Sequence, residues 1–364
     1  NNGALAVIGG GYRCFRRGED RDKLADSHIG GGRHAAVLKR CLVSKLCHCY
    51  DHPKKFLIGE IDLPTHSMRR VRAVFKIYVD TGAANEINCE ACDYLTAAMK
   101  GNTMKIGISA DSTCDLSPEL IKKYNVAITP LTVVVDGKNY RDLEEIDPDM
   151  LFALVEETGK IGSTSAVNVG EYEEFFEKRL GEYDALIHFT ISGEMSACYQ
   201  NACLAAQDRD NIFVVDSRNL STGIGLLVLE AAEMAADGIQ PGEIFDRLQA
   251  KKEKLDVSFV LHTLDYLRKG GRCSAIASLG ANLLKLRPCI KVSEGKMGVA
   301  KKYKGSMESA LEKYVKYQLA EADTLETKRI FITHTGVSGE TADKVRGWIA
   351  ECADFDEILE TRAG

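Results

Sequence analysis

Hydroxyl side chains gather at two places in this chain where an apolar run gives way to a helix. Gly162-Ser163-Thr164-Ser165 precedes a helical stretch beginning near Asn168. Ser192-Gly193-Glu194-Met195-Ser196 stands between a buried-type strand, Ala185–Thr190, and a helix over Cys198–Ala206. A helix N-terminus presents unpaired backbone N–H groups and a partial positive charge, so it holds an anion without a full countercharge. Hydroxyls add neutral donors. Two such turns facing each other would hold a carboxylate or a phosphate at the mouth of an apolar pocket. Helix capping alone explains the same residue types, so spacing by itself leaves both readings open.

The other chemistry-bearing features point nowhere as specific. Leu267-Arg268-Lys269-Gly270-Gly271-Arg272-Cys273-Ser274 sets two glycines between cations. Such a loop turns tightly and suits either a phosphate or acidic partner, or plain solvent. Cys89-Glu90-Ala91-Cys92 has metal-ligand spacing, with Cys47-His48-Cys49 and His52 as further ligands, yet a zinc ribbon wants two framed knuckles. No metal is expected. The glycine runs Gly9–Gly11 and Gly30–Gly32 lack the context of a phosphate loop, and Asp111-Ser112-Thr113 stands where a dinucleotide fingerprint would follow the first strand. There is no G-x-S-x-G elbow. His188 lies inside an apolar strand and reads as core, and His262 reads as structural. Arg69-Arg70-Val71-Arg72 reads as a solvated face.

The elements that must position the two turns begin near Met104. Strands are expected at 105–111, 127–135, 185–190, 212–216, 257–261, 288–293, 297–303 and 329–334, each short and rich in Ile, Val or Phe. Ser117-Pro118 and Asp147-Pro148 announce helices, the second running to about Thr158. Helices follow over Gly223–Asp237 and Pro241–Lys254, and Asp136-Gly137 and Glu294-Gly295 read as hairpin turns. Alternating strands and helices imply parallel sheets flanked by helices. Ligands of such sheets sit beyond the strands' carboxyl ends, where both turns fall.

Composition sets the limits. The chain has 364 residues, 45% hydrophobic and 27% charged, as in globular proteins with sizeable cores. No apolar run reaches the length of a membrane span, and no secretory signal is read at Ala4–Ile8. Twelve cysteines without regular spacing read as reduced thiols of a cytoplasmic protein. The net charge of −6 conceals +5 over residues 1–103 and −11 over the remainder. That acidic remainder argues against a nucleic-acid partner.

The motifs, taken in order, carry a resemblance. Asp111-Ser112-Thr113-Cys114-Asp115-Leu116, Ser163-Thr164-Ser165, Ser192…Met195-Ser196…Tyr199-Gln200-Asn201-Ala202, Val214-Val215-Asp216-Ser217 and Thr263-Leu264-Asp265-Tyr266-Leu267-Arg268-Lys269-Gly270-Gly271-Arg272 together resemble the DegV family of bacterial fatty-acid-binding proteins. The resemblance covers 104–364. It implies a two-lobed α/β fold, lobes at about 104–255 and 256–364, with one long-chain fatty acid (palmitate, stearate or oleate) between them and no other cofactor. It further implies a non-catalytic carrier subunit. A separate ATP-binding fatty acid kinase subunit phosphorylates the bound carboxylate, and an acyl-phosphate-using acyltransferase takes the product into phospholipid synthesis. By motif position Thr164 and Ser196 hold the carboxylate, with Ser163, Ser165 and Ser192 as neighbours, while Arg272 and Arg268 face the kinase. Transient contact with a membrane surface is part of the same expectation, and the monomer is the default state. The competing reading is a hydrolase or transferase that uses the hydroxyl turns as an oxyanion site on a small acylated or phosphorylated substrate.

The chain also departs from the family pattern. Ser196-Ala197-Cys198-Tyr199 lacks a glycine and a hydroxyl usual there, and Ala166-Val167 stand where a proline is usual. The chain stops at Ala363-Gly364, before the family's terminal strand and its histidine, a role His334 is not expected to take. Residues 1–103 lie outside the resemblance and are read as an extension of unassigned role, disordered or non-native.

Overall fold

A computed structural model describes residues 5–8, 57–63 and 71–77 as strands, and residues 104–273, 286–320 and 325–364 in side-chain detail. The metal-like cysteines, His52, Arg69, Arg70, the glycine runs and Ser274 lie outside the described residues. The chain divides into two units, Asn1–Ala25 with Lys105–Gly364, and Asp26–Met104. In the second, β2 (Leu57–Leu63) pairs antiparallel with β3 (Val71–Ile77).

The first unit opens with a parallel sheet. β4 (Ile106–Asp111), β5 (Val126–Thr129), β9 (Ala185–Thr190) and β10 (Ile212–Asp216) lie in the order β10-β9-β4-β5. Every pairing is parallel. The order reverses between β4 and β9, so the crevice that open α/β sheets use for ligands lies beyond Asp111 and Thr190. All six residues of β9 are buried, as a strand covered on both faces requires. One face carries α3 (Val169–Leu180) and α4 (Cys198–Ala206), packed through Tyr172, Phe176, Cys198 and Ala202. Before them, α1 (Pro118–Lys123) is capped by Ser117, whose Oγ accepts from the Leu120 N–H.

The other face is covered by α5 (Thr222–Ala236) and α6 (Pro241–Lys252). α5 is apolar on nearly every side, which marks a helix buried all round, and Thr222–Ala231 is indeed buried. Gly225 lets it approach the loop before α1: an added Cβ would stand 2.8 Å from Leu116 Cδ2 and 3.1 Å from the Cys114 carbonyl.

The expected strand at 127–135 is two strands. Pro130 cannot donate to a ladder, and the chain breaks there into β5 and β6 (Thr132–Val135). β6 leads a small antiparallel sheet, β7-β6-β8, with β7 (Lys138–Arg141) and β8 (Ser163–Ser165). Its hairpin turn has positive φ at both Asp136 (50°) and Gly137 (78°), the primed geometry that matches strand twist. α2 (Pro148–Thr158), capped by Asp147, covers its core of Val133, Val135 and Ile146.

The C-terminal lobe holds a six-stranded sheet in the order β13-β12-β11-β1-β14-β15. Its strands are β11 (Ser258–Val260), β12 (Leu286–Ser293), β13 (Lys296–Lys304), β14 (Arg329–His334), β15 (Glu357–Arg362) and β1 (Leu5–Ile8). β14 and β15 pair in parallel and the other pairs are antiparallel. β1 lies between β11 and β14, opposite Val260 and opposite Phe331 to His334. α7 (Asp265–Gly270) follows β11, while α8 (Met307–Gln318) and α9 (Gly339–Cys352) pack on the sheet around Leu311, Tyr314, Ile330, Val345 and Ile349. The two lobes share a core, since Val292, Phe331 and the half-buried Met297 and Leu359 pack with Phe189 and the buried face of α5.

Candidate ligand-binding site

The two hydroxyl segments differ in what supports them. Ser163, Thr164 and Ser165 are exposed and form β8, paired with β6 through Val134, Val133 and Thr132. They do not open a helix. The N-terminus of α3 is closed by its own residues: Asn168 Oδ1 accepts from the Glu171 N–H at 3.0 Å, and Glu171 Oε2 accepts from the Asn168 N–H at 2.8 Å. This capping box satisfies donors that an anion would otherwise take. Strand alternation places Ser163 and Ser165 on one face of β8 and Thr164 on the other. Ser163 lines an open groove of about 600 Å³ with Val134, Asp136, Gly137, Gly159, Lys160, Ile161 and Lys269. The other four candidate hydroxyls do not line it, and it is not the enclosed acyl tunnel that the resemblance implies.

The second segment opens a helix as its sequence suggests. The Met195 and Ser196 N–H groups donate to the Ser192 carbonyl at 2.9 and 3.1 Å, closing a tight turn. Ser192 is fully buried and its hydroxyl donates to the Gly295 carbonyl at 2.8 Å, so it fastens the turn to the β12–β13 hairpin. Lys296 pairs with Glu194 at 3.0 Å across the same junction. Gly295 is required there: its φ is +79°, and an added Cβ would stand 2.7 Å from Ser192 Oγ.

Ser196 is half-buried. Its Oγ accepts from the Cys198 N–H at 3.3 Å and donates to Cys198 Sγ at 3.2 Å. A thiol sulfur is a weak acceptor, so this hydroxyl can turn to a stronger one at small cost. No side chain caps α4, which leaves the N–H groups of Tyr199 and Gln200, in its first turn, open to a ligand. Of the two segments, only the Ser196 turn has the unpaired helix N–H groups that an anion could take.

The loop after β8 is in contact with α4. Asn201 Nδ2 of α4 donates to the Val167 carbonyl at 2.7 Å, and Cys198 Sγ interacts with that same backbone. Thr164 lies three residues before Val167 and Ser196 two before Cys198. The Thr164 hydroxyl makes no hydrogen bond with any described residue, so its donor is free.

Behind the turn lies a polar cluster whose meeting the sequence did not show. Asp111, fully buried at the end of β4, accepts from Tyr172 Oη at 2.7 Å and from the Ile191 N–H at 3.2 Å. His188 is core, as its strand suggests, with Nδ1 3.0 Å from Ser109 Oγ and Nε2 3.4 Å from Asp111 Oδ1. Burial and the Asp111 charge push the Cys198 thiol up to about 11, so it stays protonated. The one signal was a carboxylate ending an otherwise apolar strand.

Of the cationic loop, Lys269 lines the groove with Ser163. Arg268 and Arg272 are exposed around α7, and Arg272 Nη1 folds back onto the Gly270 carbonyl at 2.6 Å. Gly271 ends the helix with φ +69°, as the paired glycines suggest. His334 pairs with Glu360 at 3.2 Å and takes N–H bonds from Gly336 and Val337 on Nδ1. Among the described residues no three acids, histidines or cysteines converge as a metal site. No described helix is long and apolar enough to cross a membrane.

A parallel sheet with a serine turn at its switch point, fused to a second sheet-and-helix lobe, defines a two-lobed α/β binding fold. Residues 105–364 match the family model described as uncharacterised proteins of the DegV family, and the chain belongs to that family. A DegV domain-containing protein of Caldanaerobacter subterraneus subsp. tengcongensis is 32% identical over 262 residues, 71% of this chain and 92% of that protein. A Thermus thermophilus DegV family protein described by its fatty acid binding superposes with a TM-score of 0.64 at 29% identity, covering 71% of this chain and 93% of that one. DegV of Bacillus subtilis, described as a fatty acid binding protein, gives a TM-score of 0.62 at 25% identity over 71% and 93%. A stearic acid-binding protein of Eubacterium ventriosum gives 0.61 at 25% over 69% and 90%.

Proposed function

We propose that this chain binds a long-chain fatty acid and presents its carboxylate to a separate ATP-dependent kinase subunit, which forms an acyl phosphate for phospholipid synthesis. The reading rests on one observation: the free Thr164 hydroxyl and the uncapped N-terminus of α4 with Ser196 belong to segments tied together through Asn201 and Val167. Hydroxyl and amide donors suit a carboxylate that must also react. A bidentate arginine would bind it more firmly and blunt its attack on a phosphoryl group. The acyl chain supplies the affinity, about 0.8 kcal/mol per buried CH₂. The relatives' described ligands support the choice of fatty acid, and the exposed Arg268 and Arg272 would face the kinase.

Mass spectrometry of lipid extracted from the purified chain tests the ligand. A copurifying long-chain fatty acid is expected. Turnover of acyl or phosphate esters by the protein alone, abolished by Thr164→Ala, would replace the carrier with an enzyme. With a DegV-dependent fatty acid kinase subunit added, Arg272→Ala should retain fatty acid and lose phosphorylation. Unchanged phosphorylation would remove Arg272 from the docking surface.

A further inference from the structure

The carboxylate behind the Ser196 turn is fully buried and faces hydroxyl, amide and imidazole groups. Asp111 is fully buried, and its hydrogen-bond donors are the Tyr172 hydroxyl and the Ile191 N–H. His188 approaches at 3.4 Å, and no lysine or arginine among the described residues pairs with it. The side chains between it and the candidate ligand are few. Ser196 Oγ touches Cys198 Sγ, Cys198 interacts with Tyr172, and Tyr172 Oη touches Asp111 Oδ1. The Asp111 carboxylate also holds Ile191, the residue before the turn.

A ligand head group at the Ser196 turn would thus meet neutral hydroxyls and the N–H groups of α4 in front, and a fixed negative charge behind. One negative charge is matched by the helix terminus. A second has no counterion, and in a partly desolvated site it repels Asp111 far more than it would in water.

We propose that Asp111 is a specificity-determining residue that admits a singly charged carboxylate head group and disfavours a doubly charged phosphoryl one. The inference rests on the carrier reading and adds a direction to it. The fatty acid is retained, and once its carboxylate oxygen bonds to phosphorus the product is expelled. Asp111 does not react. It acts through the field it sets at the turn.

The experiment compares two probes of equal chain length, palmitate and hexadecylphosphonate, by displacement of a fluorescent fatty acid from the full chain. In the wild type at about pH 9 the phosphonate should bind at least roughly tenfold more weakly than palmitate, the scale of one unpaired like charge in a protein site. Asp111→Asn should shrink that ratio by roughly tenfold. An unchanged ratio in a folded variant overturns the proposal. If Asp111→Asn does not fold, the wild type decides. Between about pH 6 and about pH 9 a phosphoryl-type head takes on its second charge, and its affinity should fall against palmitate. The titratable groups facing Asp111 are His188, Tyr172, Cys198 and Cys114. Burial holds the Tyr172, Cys198 and Cys114 protons in place through this range. A phosphonate affinity that tracks palmitate across the range overturns the proposal. A wild type that retains no palmitate overturns the carrier reading itself.

Discussion

In the proposed site Ser196 and Thr164 would share one head group, and each hydroxyl donates at most one hydrogen bond. A hydrogen bond to a charged group contributes about 1.5–3 kcal/mol, so Ser196→Ala or Thr164→Ala should weaken fatty acid binding by roughly tenfold or more while the urea midpoint moves little. Equal affinity in either variant, measured by isothermal titration, would remove that residue from the site. Asp115 offers a second test. Burial raises its carboxyl to about 7 against the opposing hydrogen bond from Ser221 Oγ at 2.5 Å. Its native form therefore binds a proton more readily than its unfolded form, which titrates near 4. Asp115 accordingly makes stability fall as pH rises from about 4 to about 7, and flat above. Asp115→Asn should flatten that limb in urea titrations, and an unaltered slope would count against the raised value. Local spacing made part of this scale legible. Ser117, Asp147 and the buried His188 could be read from adjacent residues. The junction of Asp111, Tyr172 and Cys198 could not, because it joins a strand and two helices far apart in the chain.

Hairpins and helices were legible because their signals lie within a few residues. Asp136-Gly137 and Glu294-Gly295 adopt the positive-φ turns their types favour, and α2 and α4 run where caps and apolar spacing place them. The misses have physical causes. β7 and β8 are short and polar, held by pairing with β6, and β15 carries charges along an edge. The partners of β8 and β15 are remote in sequence, so no local pattern announces them, whereas β7 adjoins β6 across the Asp136-Gly137 turn and is obscured only by its polar residues. The β12–β13 hairpin also supports the candidate site, and Gly295→Ala should show it. Strain at φ +79° and the close approach to Ser192 should cost about 1–3 kcal/mol. Pairing it with Ser192→Ala should recover part of that loss, since the clashing hydroxyl is gone. Strict additivity in urea denaturation would show that the hairpin does not press on the turn.

The whole molecule is held together by a core common to both lobes and by an ion network across them. Arg329, almost fully buried, donates Nε to Glu357 at 2.6 Å and Nη2 to Glu233 at 2.8 Å, joining β14 and β15 to α5. Burial alone would raise the Glu233 carboxyl, yet Arg329 and Lys328 outweigh it and hold it near about 2. The stability this contributes is present above about pH 4.5 and is lost as pH falls toward 2. Arg329→Ala leaves two acids without their partner and should cost roughly 3–5 kcal/mol, read from the urea midpoint at neutral pH. A loss below about 1 kcal/mol, the range of exposed pairs, would show the network to be ornamental. At this scale the two-lobed α/β plan was readable from motif order and four strands of the second lobe's sheet from their apolar runs, but the strand order of that sheet was not. A central strand comes from Leu5–Ile8, in the stretch read as an extension of unassigned role.

The seat of β1 between β11 and β14 bears on how the polypeptide acquires its shape. Leu5–Ile8 is made before every other strand of its sheet, whereas β14, the strand it lies against along its whole length, follows only after the first lobe has been synthesised. The strands and covering helices of the first lobe's parallel sheet end at Lys252 and can pair while synthesis proceeds, although Val292 and Phe331 complete their core only later. The second lobe must hold its earliest segment in reserve, unpaired, until β11 and β14 are made. Loop closure over that span is slow, and an apolar strand without partners is prone to wrong pairings. A chaperone bound at Leu5–Ile8 would guard this interval.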